Sequence, residues 1–160
     1  MDLPLNPEFP YYLAEADLME LGSQFQDGSG IDWSRFLFFG EETEVSPGDY
    51  LIRQFDCDSN MYVLTHGELE VRIANTREDP EQSIASIEPI AVIGEQSFLD
   101  DGPRTASVVA KTRSTVYRLT RAAFEEMRAK EPHVAWAFLL DIARSLSRRS
   151  RSLLAKQRGL

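Results

Sequence analysis

The chain has 160 residues, 42% hydrophobic and 27% charged, which suits one globular domain with a real core and excludes a disordered chain. No run approaches the length needed to cross a bilayer, and the opening MDLPLNPEFP has no basic n-region, so a secretory leader is not expected. The net charge of −9 is uneven: six of the 17 basic residues lie from Arg144 onward with no acid among them, leaving 11 basic against 26 acidic residues elsewhere, a net of −15. A body this acidic is a poor general binder of nucleic acid, and any anion it takes must be captured by local groups. Cys57 is the only cysteine and cannot close an internal disulfide, which with the missing leader points to the cytoplasm.

Residues 1–10 carry Pro4, Pro7 and Pro10 and should be irregular. YYLAEADLMEL (11–21) reads as a short helix stopped by Gly22, GSQFQDGSG (22–30) as a loop, and IDWSRFLFFG (31–40) offers apolar anchors for a second short helix. The middle is β-rich. DYLIRQ (49–54) is a strand after the turn SPGD, and MYVLTHGELEVRI (61–73) is two strands turning near Gly67. In the second of these, Leu69, Val71 and Ile73 alternate with Glu68, Glu70 and Arg72. NTREDPEQS is a polar hairpin loop, and SIASIEPIAVI and SVVAKTRSTVYRL continue the strand pattern. Many short strands at close spacing predict a roll, sandwich or barrel.

At Thr120 the period changes from two to that of a helix. Thr120 is a plausible N-cap, Phe124 and Met127 share a face, and Glu126 and Lys130 stand at i,i+4. Pro132 suits the first turn of a longer helix with an apolar stripe of Trp136, Leu139, Ile142, Ala143 and Leu146, weakening at Ser150. There is no internal repeat.

One stretch, IGEQSFLDDGPRTASVV (93–109), carries the chemistry. Gly94 permits a left-handed backbone or a close approach to a ligand, and EQSFLDD is long enough for a helical turn whose free N–H groups favour an anion. Arg104 adds a forked donor for two phosphate oxygens, and the small Thr105 and Ala106 leave their amides accessible. Glu95 cannot help to hold phosphate. It makes sense as the acceptor of a sugar hydroxyl, as acidic residues are in dinucleotide sites. Phosphate and ribose hydroxyl within about ten residues describe a small, compact nucleotide.

Gly94-Glu95, Phe98-Leu99 and Pro103-Arg104-Thr105-Ala106-Ser107-Val108 resemble the phosphate-binding cassette of cyclic nucleotide-binding domains. The resemblance extends through SPGDYLIRQ, MYVLTHGELEV, STVYRL and the two C-terminal helices, covering roughly residues 40–150. More finely, ASVVAKTRSTVYRLTRAAFEEM is similar to the domains attached to bacterial anion transporters of the sulfate-permease type. The resemblance implies an eight-stranded antiparallel β-roll, mainly β with flanking helices, N-terminal helices before it and two helices after it. It implies that Glu95 accepts the ribose 2′-hydroxyl, that Arg104 pairs with the cyclic phosphate, and that the backbones of Gly94, Gln96, Ser97, Thr105 and Ala106 complete the cradle. It also implies that the last helix closes over the base, for which Trp136, Phe138 and Arg144 are the candidate caps. Relatives that prefer cyclic GMP use a hydroxyl just after the arginine. The plainer role of Thr105 is contact with phosphate or packing, so cyclic AMP is the first ligand and cyclic GMP the alternative.

The sequence departs from the family where Phe55 and Ile90 stand in place of the usual glycines and Gln96 in place of an apolar residue. These departures support a competing expectation, that the fold persists as a protein-interaction scaffold without nucleotide. No catalytic constellation, metal cluster or Walker-type loop stands out, and His66 and His133 are too far apart for a metal cupin. The expectation is therefore a non-enzymatic sensor in three segments: 1–39, the nucleotide-binding domain 40–150, and a basic tail 151–160. Its output would pass through the last helix to a second copy, an effector or a transporter. The tail lacks the two further helices of a helix-turn-helix DNA-binding module.

Overall fold

The computed structural model describes residues 37–89 and 91–158. The expected helices within 11–40 lie outside the described residues apart from Leu37 and Phe38, which are helical, and Ile90 lies outside them as well. Eight strands follow: β1 (Glu41–Val45), β2 (Tyr50–Ile52), β3 (Met61–His66), β4 (Leu69–Ile73), β5 (Gln82–Ile87), β6 (Ala91–Ile93), β7 (Ser107–Ala110) and β8 (Ser114–Leu119). A short helix, α1 (Glu95–Asp100), interrupts them between β6 and β7, and α2 (Arg121–Lys130) and α3 (Pro132–Gln157) close the chain. All pairings are antiparallel, in two four-stranded sheets ordered β1-β8-β3-β6 and β2-β7-β4-β5. This is the eight-stranded roll, mainly β with two helices after it, that the resemblance implied.

The burial pattern explains the sheet positions. In β4, Leu69 and Val71 are buried while Glu70 and Arg72 lie half-exposed and pair with each other at 2.6 Å, the signature of a strand with one wet face. In β3 the run MYVL is buried throughout. Tyr62 and Leu64 point into the roll with Val71, Ile87 and Val108, whereas Met61 and Val63 point outward into a second core with Phe98, Phe124, Met127 and Phe138. One sheet is thus covered on both faces, by the other sheet and by the helices, and a strand buried twice has no polar alternation to show. The β3–β4 turn needs its glycine: Gly67 has φ 92°, and a Cβ there would lie 2.3 Å from the Ser114 hydroxyl.

The helix signals fall where the sequence put them. The Thr120 hydroxyl accepts from the Ala123 N–H at 3.1 Å, Phe124 and Met127 are buried, and Lys130 pairs with Glu126 at 2.5 Å. In α3 the buried face is set differently from the expected stripe. Val134, Ala135, Phe138 and Ile142 are buried and Leu139 and Leu146 pack partly against them, while Trp136 is 60% exposed and Ala143 is exposed. Each helical residue turns the face by about 100°, so Trp136 and Ala143, seven apart, share the flank of the helix rather than its centre. α3 also continues unbroken across residue 150 to Gln157.

Candidate functional site

The connection from β6 to β7 builds the site. Gly94 follows β6 in the left-handed region at φ 79°, turning the chain directly into α1. The glycine is required a second time by proximity, because a Cβ at this position would meet Arg104 Nη1 at 2.5 Å and both the Asn60 carbonyl and Ile52 Cδ1 at 3.1 Å. α1 ends at Asp101, itself left-handed at φ 57°, whose N–H returns to the Ser97 carbonyl at 3.0 Å. Residues 102–106 then lead Arg104 back beside Gly94 and into β7.

These turns enclose a cavity of about 650 Å³, the open space at its mouth included. Its floor is apolar, from Ile52, Val71, Ile87 and Val108 with Ala91, Val92 and Ile93. Its polar wall is Gly94, Glu95, Gln96, Ser97, Arg104, Thr105 and Ala106, all seven of the cradle residues named from the sequence. The base-cap candidates are placed elsewhere. Trp136, Phe138 and Arg144 do not line the cavity: Phe138 is buried in the core between helices and sheet, and Trp136 and Arg144 are exposed on α3.

Glu95 and Arg104 are both almost fully buried, 4% and 3% exposed. Burial pushes the Glu95 carboxyl up to about 7, since the charged form is poorly solvated there, with its own backbone N–H and the Arg104 charge pulling the other way. The Arg104 guanidinium gives Nε to Asp58 Oδ2 at 3.0 Å and Nη2 to Asp58 Oδ1, and Nη2 also reaches the Asn60 carbonyl at 2.5 Å. Nη1 donates to the Gly94 carbonyl at 3.0 Å. A guanidinium has five N–H groups, and these contacts engage four. The hydrogen bond from Arg104 is the main reason the Asp58 carboxyl is held below the usual carboxylate range.

Asp58 is the site residue that sequence reasoning missed. It stands in DCDSN, a polar loop by composition, 46 positions before Arg104, and nothing local marks it. The loop that carries it also holds the arginine by its main chain: Phe55 N–H donates to the Arg104 carbonyl and Arg104 N–H to the Asp56 carbonyl, both at 2.9 Å. At Phe55, where the resembled family usually has glycine, the backbone is left-handed, φ 71°. That conformation costs a non-glycine residue about 1–2 kcal/mol. Arg77 steadies it by donating to the Phe55 carbonyl at 2.6 Å and lying 5.5 Å over the Phe55 ring. At the cavity mouth the Thr105 hydroxyl donates to the Gln96 side-chain carbonyl at 3.0 Å, so the unusual Gln96 has a partner in the wall opposite α1.

Comparison with known proteins accords with this geometry. Over 89 residues the chain is 32% identical to the cAMP-dependent protein kinase type II regulatory subunit of Drosophila melanogaster, covering 56% of this chain and 22% of that protein. The chain spans about a fifth of the length of the first curated relatives it matches. A cyclic nucleotide-binding domain from Methylobacillus flagellatus KT superposes with a TM-score of 0.68 at 24% identity, covering 93% of this chain and 87% of that one. The N-terminal domain of a transcriptional regulator from Streptomyces coelicolor A3(2) does so at 0.63 and 27%, covering 76% and 84%. Residues 42–131, more than half of the chain, match the family model of the cyclic nucleotide-binding domain, and the chain belongs to that family.

Proposed function

We propose that this chain is a regulatory sensor domain for a 3′,5′-cyclic nucleotide, cyclic AMP first, without catalysis of its own. One observation carries the reading: a buried carboxylate and a buried guanidinium, with the main-chain amides around them, line a single cavity with an apolar floor. Each group has a task. The Glu95 carboxylate accepts the 2′-hydroxyl, the one ribose hydroxyl left free by cyclisation. Arg104 and the amides of Gln96, Ser97, Thr105 and Ala106 receive the phosphate, and Ile52, Val71, Ile87 and Val108 form the apolar floor. The carboxylate has to be ionised to accept strongly, so a hydroxyl donor stabilises the charged form of a group that titrates near neutrality.

Asp58 and the phosphate compete for the same N–H groups of Arg104. The Asp58 side chain is 44% exposed and can turn to water as the phosphate takes its place. The same contact favours a second reading, in which Asp58 permanently satisfies Arg104 and the domain is a scaffold with an empty cavity. Thr105 donates its proton to Gln96 and keeps its lone pairs for a donor, such as the 2-amino group of guanine, so cyclic GMP stays the alternative ligand. The cyclic AMP named for the Drosophila kinase subunit supports adenine first.

Occupancy would be relayed by α1 to α2 and α3, and from α3 with its basic C-terminal part to a second copy, an effector or a transporter domain in the cytoplasm. Calorimetric titration with cyclic AMP and cyclic GMP tests the reading. Micromolar or tighter binding of either supports it, and silence from both at high micromolar concentrations removes it and favours the scaffold. A thermal shift is the quicker screen, because a ligand at a hundred times its Kd adds about 2.7 kcal/mol of stability.

A further inference from the structure

Arg121, the first residue of α2, grips α1 in three ways. Its guanidinium lies 4.8 Å from the centre of the Phe98 ring, donates to the Phe98 carbonyl, and pairs with Asp101 at 3.2 Å. Phe98 is 2% exposed and meets Phe124 edge to face, ring centroids 5.4 Å apart. The Phe98 ring is therefore held between two side chains of α2 that stand three positions apart on one helix face. A cation beside the carbonyls that end α1 is also in its favourable place electrostatically.

We infer that Arg121 is the joint through which occupancy of the cavity reaches the C-terminal helices, a positioning residue that touches no ligand; the inference rests on the cavity being a cyclic nucleotide site. The first turn of α1, with Gly94 before it, lines the cavity at Glu95, Gln96 and Ser97, and the second turn, Phe98 to Asp101, carries every contact with Arg121. At six residues and a rise of about 1.5 Å each, α1 is about 9 Å long and moves as a rod. A ligand that draws in its first turn displaces its second. The edge-to-face ring contact has a preferred geometry of its own but is not tied to a single donor and acceptor atom. The bond to the Phe98 carbonyl is directional and fixes the separation, so it is what obliges α2 to follow, while the exposed Arg121–Asp101 pair adds little. Phe124 and Met127 of α2 share one core with Phe138 and Ile142 of α3, which carries the displacement onward.

The chain contains its own reporter. Trp136 sits exposed on α3, and Trp33→Phe leaves it the single tryptophan. In that parent, calorimetry with cyclic AMP and cyclic GMP reads binding, and Trp136 emission during the same titration reads the helix. Cutting the joint relieves the nucleotide of moving the helices. Arg121→Ala should therefore bind as tightly or more tightly, by up to about fivefold at the lower end of ordinary coupling energies, while the emission change falls below about half. Arg121→Lys, which keeps the charge and a donor but not the planar fork, restores part of that change. Arg121→Gln replaces the alanine variant if circular dichroism shows the latter unfolded. Three results overturn the inference: a full emission change in Arg121→Ala, weaker binding by a folded Arg121→Ala, or nucleotide binding to the parent with no emission change. Failure of the parent to bind either nucleotide is a different result and removes the cavity reading itself.

Discussion

Two sets of arginine–carboxylate contacts in this molecule have similar distances and different worth. Along β1 and β8, antiparallel register sets Glu41 opposite Arg118, and the pair closes at 2.5 Å. Nearby, Arg113 reaches Glu44 at 3.0 Å with both side chains well over half exposed. Apart from the buried Nε of Arg118, these charges reach water, where screening and side-chain entropy leave such pairs about 0–1 kcal/mol. At the cavity, Arg104 is buried and its fork is shared among one carboxylate and two main-chain carbonyls. A surface pair decorates a strand. A buried guanidinium kept in place before any ligand arrives has already met the ordering cost that anion binding would otherwise impose.

The comparison breaks most severely at Arg104. Arg104→Ala should cost about 2–5 kcal/mol of cyclic nucleotide binding, as loss of one partner of a buried charge pair does. Calorimetry showing affinity within tenfold of the unsubstituted chain would place the phosphate elsewhere. Gly94→Ala should follow, losing ligand affinity and about 1–2 kcal/mol of stability for the left-handed backbone, with a further cost because the new methyl meets Arg104 Nη1 at 2.5 Å. Gly48→Ala is the matched control in urea unfolding: φ is 88° there, but no atom lies within 4 Å of the added carbon, so only the backbone cost applies.

Glu95→Gln should weaken binding by about 1.5–3 kcal/mol, the worth of a hydrogen bond to a charged group. It should also change the response to pH. Burial raises the folded carboxyl to about 7 from the 4.5 of an exposed glutamate, so between these values the unfolded chain binds fewer protons and stability falls as pH rises. The contribution is complete below about 4.5, is lost as pH passes through about 7, and is absent in the glutamine variant. Urea midpoints at pH 5 and pH 7.5 should therefore converge for Glu95→Gln relative to the unsubstituted chain; equal slopes for the two proteins would mean that Glu95 is ionised and well solvated. Arg113→Ala is the smallest effect, within about 0.5 kcal/mol in the same assay. A larger loss would show that the surface set is not the weak one.

The strands were readable because alternation and turns are local. Leu69 and Val71 against Glu70 and Arg72 mark one wet face, and Gly67 marks the turn before them. The start of α2 was readable for the same reason, since a threonine cap and its bond to Ala123 lie within four residues. The cavity wall was readable because seven of its residues fall within one stretch, 94–106. Trp136 was misjudged as part of the helix core because a residue on the flank of an apolar stripe scores like one at its centre until the packing partner is known. Phe138 was named as a cap for the base and lies instead in the core, since composition does not say which way a helix face is turned.

Sequence alone determined the order of elements, the helical turn beginning at Gly94, and the presence of an acid and an arginine nine positions apart beside it, because periodicity, capping and left-handed turns are settled by neighbouring residues. Only the closed roll decided that Asp58 and the Asn60 carbonyl would hold Arg104, that Phe55 would accept a left-handed backbone, and that Arg121 would clasp α1. Those contacts join residues 20 to 49 positions apart, and no local preference encodes them. They exist because two sheets and a helix pair fold against one another and leave a guanidinium no solvent to turn to.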